Sequence, residues 1–297
     1  MKRLAKAILV STLACFCFPA AAADECIPEF FRSAQSINVR NIVAGRTRVR
    51  VENFDIRVRN AGDLDAPCVT ALRFARLGNS PAGDRRAFTL RTRQRVVQIL
   101  PNEGVPGTRA SDIPVLRLSS ESNGLAVPFN FLIPSDWGVK DGTIVDQLLV
   151  SLLDANREVV DTMLLTVRLE FPTAVEMRIV GATGRGKLAQ INLGTLKSDA
   201  TTRSDPFGIR VWSTSPYSVS FRSENAGALV TPDLRGRIEY QLFMNGKAVN
   251  LSGQSAGGMP RGTGALGDFH RLRVLVPPFQ SRAGEYSDRV EVTVSTT

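Results

Sequence analysis

The last 15 residues of the chain constrain its fold most. Val290, Val292 and Val294 alternate with polar residues after a turn at Ala283-Gly284, and a period of two is typical of a strand with one buried face. The same pattern occurs in 161–167, where Asp, Thr and Val stand at the same offsets as in 288–294. We interpret the two segments as a weak internal repeat that marks the last strand of each of two tandem β domains.

Short alternating segments separated by Gly and Pro fill the rest of the chain, and helix signals are nearly absent. This spacing is typical of antiparallel β-sandwiches and not of a parallel sheet. Asn245-Gly246 predicts a type I′ hairpin turn, because both residues tolerate positive φ. Loops are predicted at 101–114 and 253–267, and strands at 47–60, 69–77, 87–100, 127–133, 143–153, 161–171, 175–180, 189–193, 207–212, 217–222, 237–244, 272–276 and 288–294.

The N-terminus has the features of a secretory signal peptide. Basic residues precede an apolar run that ends at Phe18, and Ala20-Ala21-Ala22-Ala23 offers an A-x-A cleavage site. We therefore predict that residues 1–23 are removed and that the mature chain is exported. No other segment approaches the ~20 apolar residues that span a bilayer, so we expect the mature chain not to span a membrane.

Removal of the signal peptide discards Cys15 and Cys17 and leaves Cys26 and Cys68. A pair of cysteines in an exported chain indicates one disulfide, and two free thiols are the alternative. On the chain-entropy model such a disulfide stabilises the fold by ~4 kcal/mol.

Seven arginines stand at alternate positions of two predicted strands. If these strands are neighbours, the side chains form one basic sheet face suited to phosphate or an acidic glycan. A solvated face whose charge prevents edge aggregation is the favoured alternative. The formal net charge of +9 fits an anionic partner, but the chain lacks the aromatic stripe on which nucleic acids stack. The residues are Arg48, Arg50, Arg57, Arg59, Arg91, Arg93 and Arg95.

Two motifs resemble enzyme signatures without the structural context that these need. Gly181 to Leu188 has P-loop spacing, but Leu188 replaces the magnesium-binding hydroxyl and a predicted strand follows instead of a helix. Ser255, Asp268 and His270 stand in the order of a hydrolase triad, but all lie within one Gly-rich stretch. His270 is the only histidine, which excludes multi-histidine metal sites. We predict no catalytic residues, no cofactor and no metal, and a hydrolase is the remaining enzyme alternative.

Three stretches of the second half resemble one known family. They are Ile191 to Leu196, Val211 to Phe221, and the C-terminal Ala283-Gly284-x-Tyr286-x-Asp288-x-Val290-x-Val292-x-Val294. They are similar to strands of the spore coat protein U domain, the pilin-type domain of archaic chaperone-usher pili. The likeness covers about 175–297, whereas 24–172 matches only in its final strand and its cysteine pair. The second half departs from the family in having no cysteine.

The resemblance implies an all-β chain of two tandem immunoglobulin-like antiparallel β-sandwich domains, 24–172 and 173–297, with the second incomplete and awaiting a donor strand. A periplasmic chaperone and then the N-terminal extension of another subunit would supply that strand by β-augmentation. The assembly strand would comprise Tyr286, Asp288, Val290, Val292 and Val294.

Family shaft subunits carry an alternating extension before their first cysteine, whereas only Asp24 and Glu25 lie between the predicted cleavage site and Cys26. The resemblance therefore implies a tip adhesin that accepts a strand without donating one, with 24–172 outermost. Its partners would be the chaperone, the outer-membrane usher and the adjacent pilin subunit, and it would pass through the periplasm to the cell surface. The alternatives are a two-domain periplasmic chaperone, which needs a long free donor strand, and a stand-alone secreted β protein.

Overall fold

The computed structural model describes residues 26–45, 49–62, 68–77, 87–118, 124–184 and 188–297. These residues form β-strands and no α-helix, and consequently no membrane-spanning helix occurs among them. The strands make two separate groups of sheets, one within 28–171 and the other within 175–296. The prediction of an all-β, two-domain chain is confirmed. The predicted signal peptide, residues 1–23, lies outside the described residues.

The first domain is a sandwich of two sheets. Its strands are β1 (Pro28–Phe30), β2 (Ala34–Val39), β3 (Arg50–Asn60), β4 (Cys68–Arg76), β5 (Thr89–Arg91), β6 (Ile99–Leu100), β7 (Ile113–Leu118), β8 (Leu125–Ile133), β9 (Gly142–Leu153) and β10 (Val159–Phe171). The strand order is β1-β3-β8-β5 in one sheet and β2-β10-β9-β4-β6 in the other, with β7 added to β4. The pairs β2–β10 and β4–β6 are parallel and the others are antiparallel.

Aromatic side chains join the two sheets of this sandwich. Phe54 on β3 stacks on Phe131 of β8, with ring centroids 4.7 Å apart. Phe74 on β4, in the opposite sheet, meets Phe129 edge to face at 5.2 Å. All four rings are buried, and each such pair contributes about 0.5–1.5 kcal/mol beyond the burial of its area.

The predicted disulfide is confirmed. Cys26 precedes β1 and Cys68 begins β4, and their Cα atoms lie 5.4 Å apart. Because β1 and β4 belong to different sheets, the bond links the two layers of the first domain.

The second domain consists of a larger sheet, a three-stranded sheet and one separate strand pair. The strands are β11 (Val175–Val180), β12 (Thr202–Arg203), β13 (Phe207–Ser213), β14 (Tyr217–Ser223), β15 (Ala228–Val230), β16 (Arg237–Glu239), β17 (Gln241–Met244), β18 (Lys247–Ala248), β19 (Ser252–Met259), β20 (Asp268–Val276) and β21 (Val290–Thr296). The larger sheet has the order β11-β13-β20-β17-β18 with β12 added to β20, the three-stranded sheet has the order β19-β14-β21, and the pair is β15–β16. The turn between β17 and β18 confirms the Asn-Gly prediction, since Asn245 and Gly246 have φ of 52° and 85°.

Hydrogen bonds fix the junction between the domains. Thr214 donates its N–H to the Ala174 carbonyl at 3.0 Å, and its hydroxyl accepts the Ala174 N–H at 2.9 Å. From the first domain, Asp141 donates its N–H to the Thr214 carbonyl at 3.2 Å and accepts the Thr173 hydroxyl at 2.8 Å.

Some strand predictions are wrong. The segment 87–100 is not one strand, because Thr92 caps a turn between β5 and β6 by accepting the N–H groups of Gln94 and Arg95. Residues 189–193 form only an isolated bridge at Gln190. The predicted loop 253–267 contains all of β19 except its first residue, and the glycines of this strand concealed its pattern. The predicted strand 237–244 divides into β16 and β17 at Tyr240.

Candidate functional site: an unpaired strand edge

The terminal strand β21 has a hydrogen-bonded neighbour on one side only. Its residues 290–296 pair in continuous register with 217–223 of β14, and no other described strand pairs with it. An unpaired edge exposes a row of backbone N–H and C=O groups that can bind a further strand.

The first domain shows how such an edge is filled. There β9 pairs with β4 on one side and with β10 on the other, just as β21 pairs with β14. By sheet position, β21 therefore corresponds to β9, and no described strand of the second domain occupies the position of β10. The internal repeat aligned β21 with β10, so it identified the last strands of the two domains but not strands in equivalent positions.

The burial of the alternating side chains reflects this difference. In β10, Met163, Leu165 and Val167 are 2%, 0% and 0% exposed. The matching residues of β21, Val290, Val292 and Val294, are only half-buried, although they pack against the core of the second domain. The terminal strand thus presents a partly covered apolar row next to its free edge.

A second free edge lies beside the first. Met177 and Ile179 of β11 are half-buried and belong to the same core, and β11 pairs only with β13 among the described strands. Cα atoms of β11 and β21 come within 8 Å of each other, without a backbone ladder between these strands. We call this apolar margin, comprising Met177, Ile179, Val290, Val292 and Val294, the acceptor groove. Met177 and Ile179 were missed as site residues, although the alternation in 175–180 was visible in the sequence.

The other two predicted assembly residues position the terminal strand instead of lining the groove. Asp288 accepts hydrogen bonds from the Tyr240 hydroxyl at 2.6 Å, the Ser223 hydroxyl at 2.6 Å and the Asn225 side chain at 3.0 Å. Burial, and then the hydrogen bond to Asp288 and the charge of that carboxylate, raise the pKa of Tyr240 well above its usual range, so the hydroxyl stays protonated as the donor.

The hydroxyl of Tyr286 donates to the Arg282 carbonyl at 2.6 Å. It also lies 2.6 Å from the Ser281 hydroxyl, so both hydrogen bonds are made within the segment that leads into β21.

The seven arginines do not form one basic face. Arg48 lies outside the described residues. Arg50 is on the opposite side of β3 from Arg57 and Arg59, because β3 pairs with β8 without a bulge and side chains alternate. Of the three arginines in 91–95, Arg91 belongs to β5, whereas Arg93 and Arg95 lie in the turn after it. The prediction failed because the turn at Thr92 interrupts the expected strand.

Arg95 belongs instead to a cluster around Asp112, which no local sequence pattern indicates. Asp112 is buried and accepts hydrogen bonds from Arg73 at 2.8 Å and from Arg157 at 2.6 Å. Burial raises the pKa of Asp112, but hydrogen bonds and charge from Arg73 and Arg157 outweigh it and lower the pKa. Arg95 donates to the Asp112 carbonyl.

An open cavity of about 500 Å³ adjoins this cluster and is lined by Arg93, Arg95 and Arg109 as well as Asp112. It lies at the end of the first domain away from the junction, since Arg157 is in the β9–β10 turn opposite the paired residues Gly142 and Phe171.

The strand positions of Ser255 and His270 do not support the hydrolase alternative, which needs a Ser-His-Asp triad. The His270 ring is buried and lies 2.9 Å from the Tyr217 hydroxyl and 3.1 Å from the Asn245 amide. Tyr217 also donates to Asp268 at 2.9 Å. Ser255 pairs with Ser220 in the other sheet, so its backbone is not in the strand that carries His270.

The P-loop match and the prediction that no metal is bound are separate from the triad of Ser255, Asp268 and His270. No helix follows Gly181 to Leu188 in the described residues, and 185–187 lie outside them. No group of three potential metal ligands occurs within the part of the chain that the structure describes.

No protein-family model and no curated protein matches the sequence. The fold is similar to one chain of the CsuC–CsuE chaperone–tip adhesion subunit pre-assembly complex from the archaic Csu pili of Acinetobacter baumannii. That match has 16% identity and a TM-score of 0.41, and covers 88% of this chain and 97% of the other.

The CupB6 tip adhesin of Pseudomonas aeruginosa matches with 11% identity, a TM-score of 0.38, and coverage of 91% and 93%. The secreted serine protease VesC of Vibrio cholerae matches with 8% identity, a TM-score of 0.24, and coverage of 91% and 51%. At these TM-scores the similarities assign neither an activity nor a partner to the chain. The resemblance to the spore coat protein U domain stays a prediction.

Proposed function

We propose that the chain is a non-enzymatic subunit of a chaperone-usher pilus whose second domain accepts a donor strand along β21. The observation that carries this proposal is the acceptor groove, in which Val290, Val292 and Val294 are half-buried beside an edge that has no paired strand among the described residues. A donor would add backbone hydrogen bonds to this edge and cover the groove with every second side chain.

The energetics fit strand addition. Full burial of a valine side chain stabilises by about 1.5 kcal/mol or more relative to exposure, so completing the burial of three half-buried valines contributes on the order of 2 kcal/mol. The backbone hydrogen bonds add ~1 kcal/mol each. A donor with apolar residues at alternate positions satisfies both requirements.

We further propose that the chain sits at the pilus tip, with 24–172 as an outer adhesin domain and 173–297 as the pilin domain of the spore coat protein U type. In support, β1 and β2 are both paired inside the first domain, so neither is free to complete a neighbouring subunit. The arginine-lined cavity beside Asp112 lies at the end away from the junction and suits an anionic group on a receptor. Periplasmic transit, cell-surface display, and chaperone and usher partners belong to the same proposal.

The two-domain chaperone is disfavoured by strand pairing. A chaperone that completes pilins needs a long alternating strand with a free edge in its first domain. Here the long strands β3, β9 and β10 each have two hydrogen-bonded neighbours.

The test uses chain 24–297 and a pool of 12-residue peptides with apolar residues at alternate positions. Bound peptide should raise the melting temperature and slow amide hydrogen exchange at 290–296. Val292→Arg should abolish both effects, whereas Glu291→Arg, a matched change on the exposed side of the same strand, should preserve them. A chain whose melting and exchange no peptide alters, or a Val292→Arg variant that responds like the parent, would disprove the acceptor role.

A further inference from the structure

The outer face of the larger sheet of the second domain combines arginines with aromatic rings. Strand pairing brings the residues together from β11, β12, β13, β17 and β20. Arg210 lies opposite Phe269, and Arg273 lies opposite Phe243. We call this surface the basic outer face; it comprises Arg178, Arg203, Arg210, Trp212, Phe243, Phe269, Arg271 and Arg273.

Two of the rings are in contact with arginine side chains. The Arg178 guanidinium lies 5.4 Å from the centroid of Trp212, and that of Arg210 lies 5.7 Å from the centroid of Phe269. Contact of this kind holds a cation over the face of a ring. Both arginines also have a partner already, since Arg178 bonds Glu176 and Arg210 donates to the Leu266 carbonyl at 2.8 Å, so binding of a further anion falls to the other arginines of this face.

The charge of this face is largely uncompensated. Arg203, Arg271 and Arg273 are exposed and form no ion pair with the residues that the structure describes. Glu176 is the acidic residue on the outward side of these strands, and it pairs with Arg178 at 2.8 Å. Asp268, at the start of β20, lies on the inward side, where it accepts the Tyr217 hydroxyl, and Asp205 stands at the margin, between β12 and β13.

The three unpaired arginines and the half-buried ring of Phe243 line one open depression of about 720 Å³. Like charges gathered in this way repel one another unless an anion lies among them.

We propose that the basic outer face binds an acidic polysaccharide through its carboxylate or sulfate groups. Arg203, Arg271 and Arg273 contact these groups, and Phe243 packs against a sugar ring. Single-stranded nucleic acid fits less well, because bases need uncovered aromatic faces and guanidinium groups already lie over Trp212 and Phe269. The inference does not depend on the acceptor groove, which lies at the edge of the sandwich.

The experiment measures binding of chain 24–297 to immobilised heparin and alginate at 0.15 M salt, roughly physiological ionic strength. The Arg203→Ser, Arg271→Ser, Arg273→Ser triple variant should bind both polymers about tenfold more weakly, equivalent to ~1.4 kcal/mol. A control triple variant removes the same charge from exposed residues elsewhere in the domain, Arg222, Arg235 and Arg261, and should bind like the parent. Oligo(dT) and vesicles containing phosphatidylserine serve as competing polyanions.

Equal binding by the first triple variant and the parent overturns the proposal, as does an equal loss in the control variant. Binding of oligo(dT) or anionic vesicles at least as tight as that of the polysaccharides overturns the assignment of the ligand class. Selective loss in the first variant, with polysaccharide preferred, supports it.

Discussion

Val219 and Val294 lie directly opposite each other in the ladder between β14 and β21, yet Val219 is fully buried and Val294 is only half-buried. The difference arises because β14 has strands on both sides, β19 and β21, whereas β21 is an edge. The pair offers a matched comparison of the same residue type in the same domain.

Replacing Val219 by Ala should lower the free energy of unfolding by about 2 kcal/mol, because lost burial and a cavity both contribute. Val294→Ala should cost only about 0.5–1 kcal/mol in the free chain, since its side chain is partly hydrated already. Denaturant unfolding measures both values.

With a bound donor peptide, the cost of Val294→Ala should rise toward that of Val219→Ala. Equal costs in the free chain would mean that the edge of β21 is already covered.

Asp288→Ala should destabilise the second domain by about 2–4 kcal/mol. It removes the acceptor of Tyr240, Ser223 and Asn225 and leaves buried or half-buried donors without a partner. Glu291→Ala, on the exposed side of the same terminal strand, should change stability by less than about 0.5 kcal/mol. Thermal unfolding of both variants checks this, and similar values would show that Asp288 is not an anchor.

The sequence predicted strands well where the alternation was local. Strand β11 has the predicted limits, and the Asn-Gly turn has the predicted backbone. It could not predict which strands pair, because partners such as Arg210 and Phe269 are far apart in the chain and no local pattern encodes their meeting. The basic outer face was missed for that reason.

The acceptor groove was only partly predictable from the sequence. The valines of β21 were identified from their period, and the open edge was inferred only from a family resemblance. The internal repeat could not indicate that β21 occupies the position of β9, since a period of two describes a strand's faces and says nothing about its edges.

Replacing Cys26 and Cys68 by Ser should lower the free energy of unfolding of the first domain by about 2–4 kcal/mol. The bond closes a loop between residues 42 positions apart, and opening it restores conformational entropy to the unfolded chain. The second domain contains no cysteine, so its unfolding transition serves as an internal control. Equal shifts of the two unfolding transitions, in the variant or in the parent after reduction of the disulfide, would indicate that the bond stabilises more than the first domain.

His270 should make the second domain less stable as the pH falls below about 6.5. Burial lowers the pKa of His270, although the charge of Asp268 opposes this. The unfolded chain, with an ordinary histidine, therefore binds more protons between pH 6.5 and the lowered pKa, and stability falls with decreasing pH by at most about 1.4 kcal/mol per pH unit. From about pH 7.5 upward the histidine is almost entirely neutral in both states, one pH unit above its ordinary pKa, and the effect vanishes.

Because His270 is the only histidine, His270→Gln should remove most of this pH dependence while costing some stability at every pH. The decisive measurement is the melting temperature of the parent and the variant at pH 7.5, 6.5 and 5.5. Ordinary carboxyl groups titrate mainly below this range, so equal slopes in the two proteins would mean that protonation of His270 does not control acid stability.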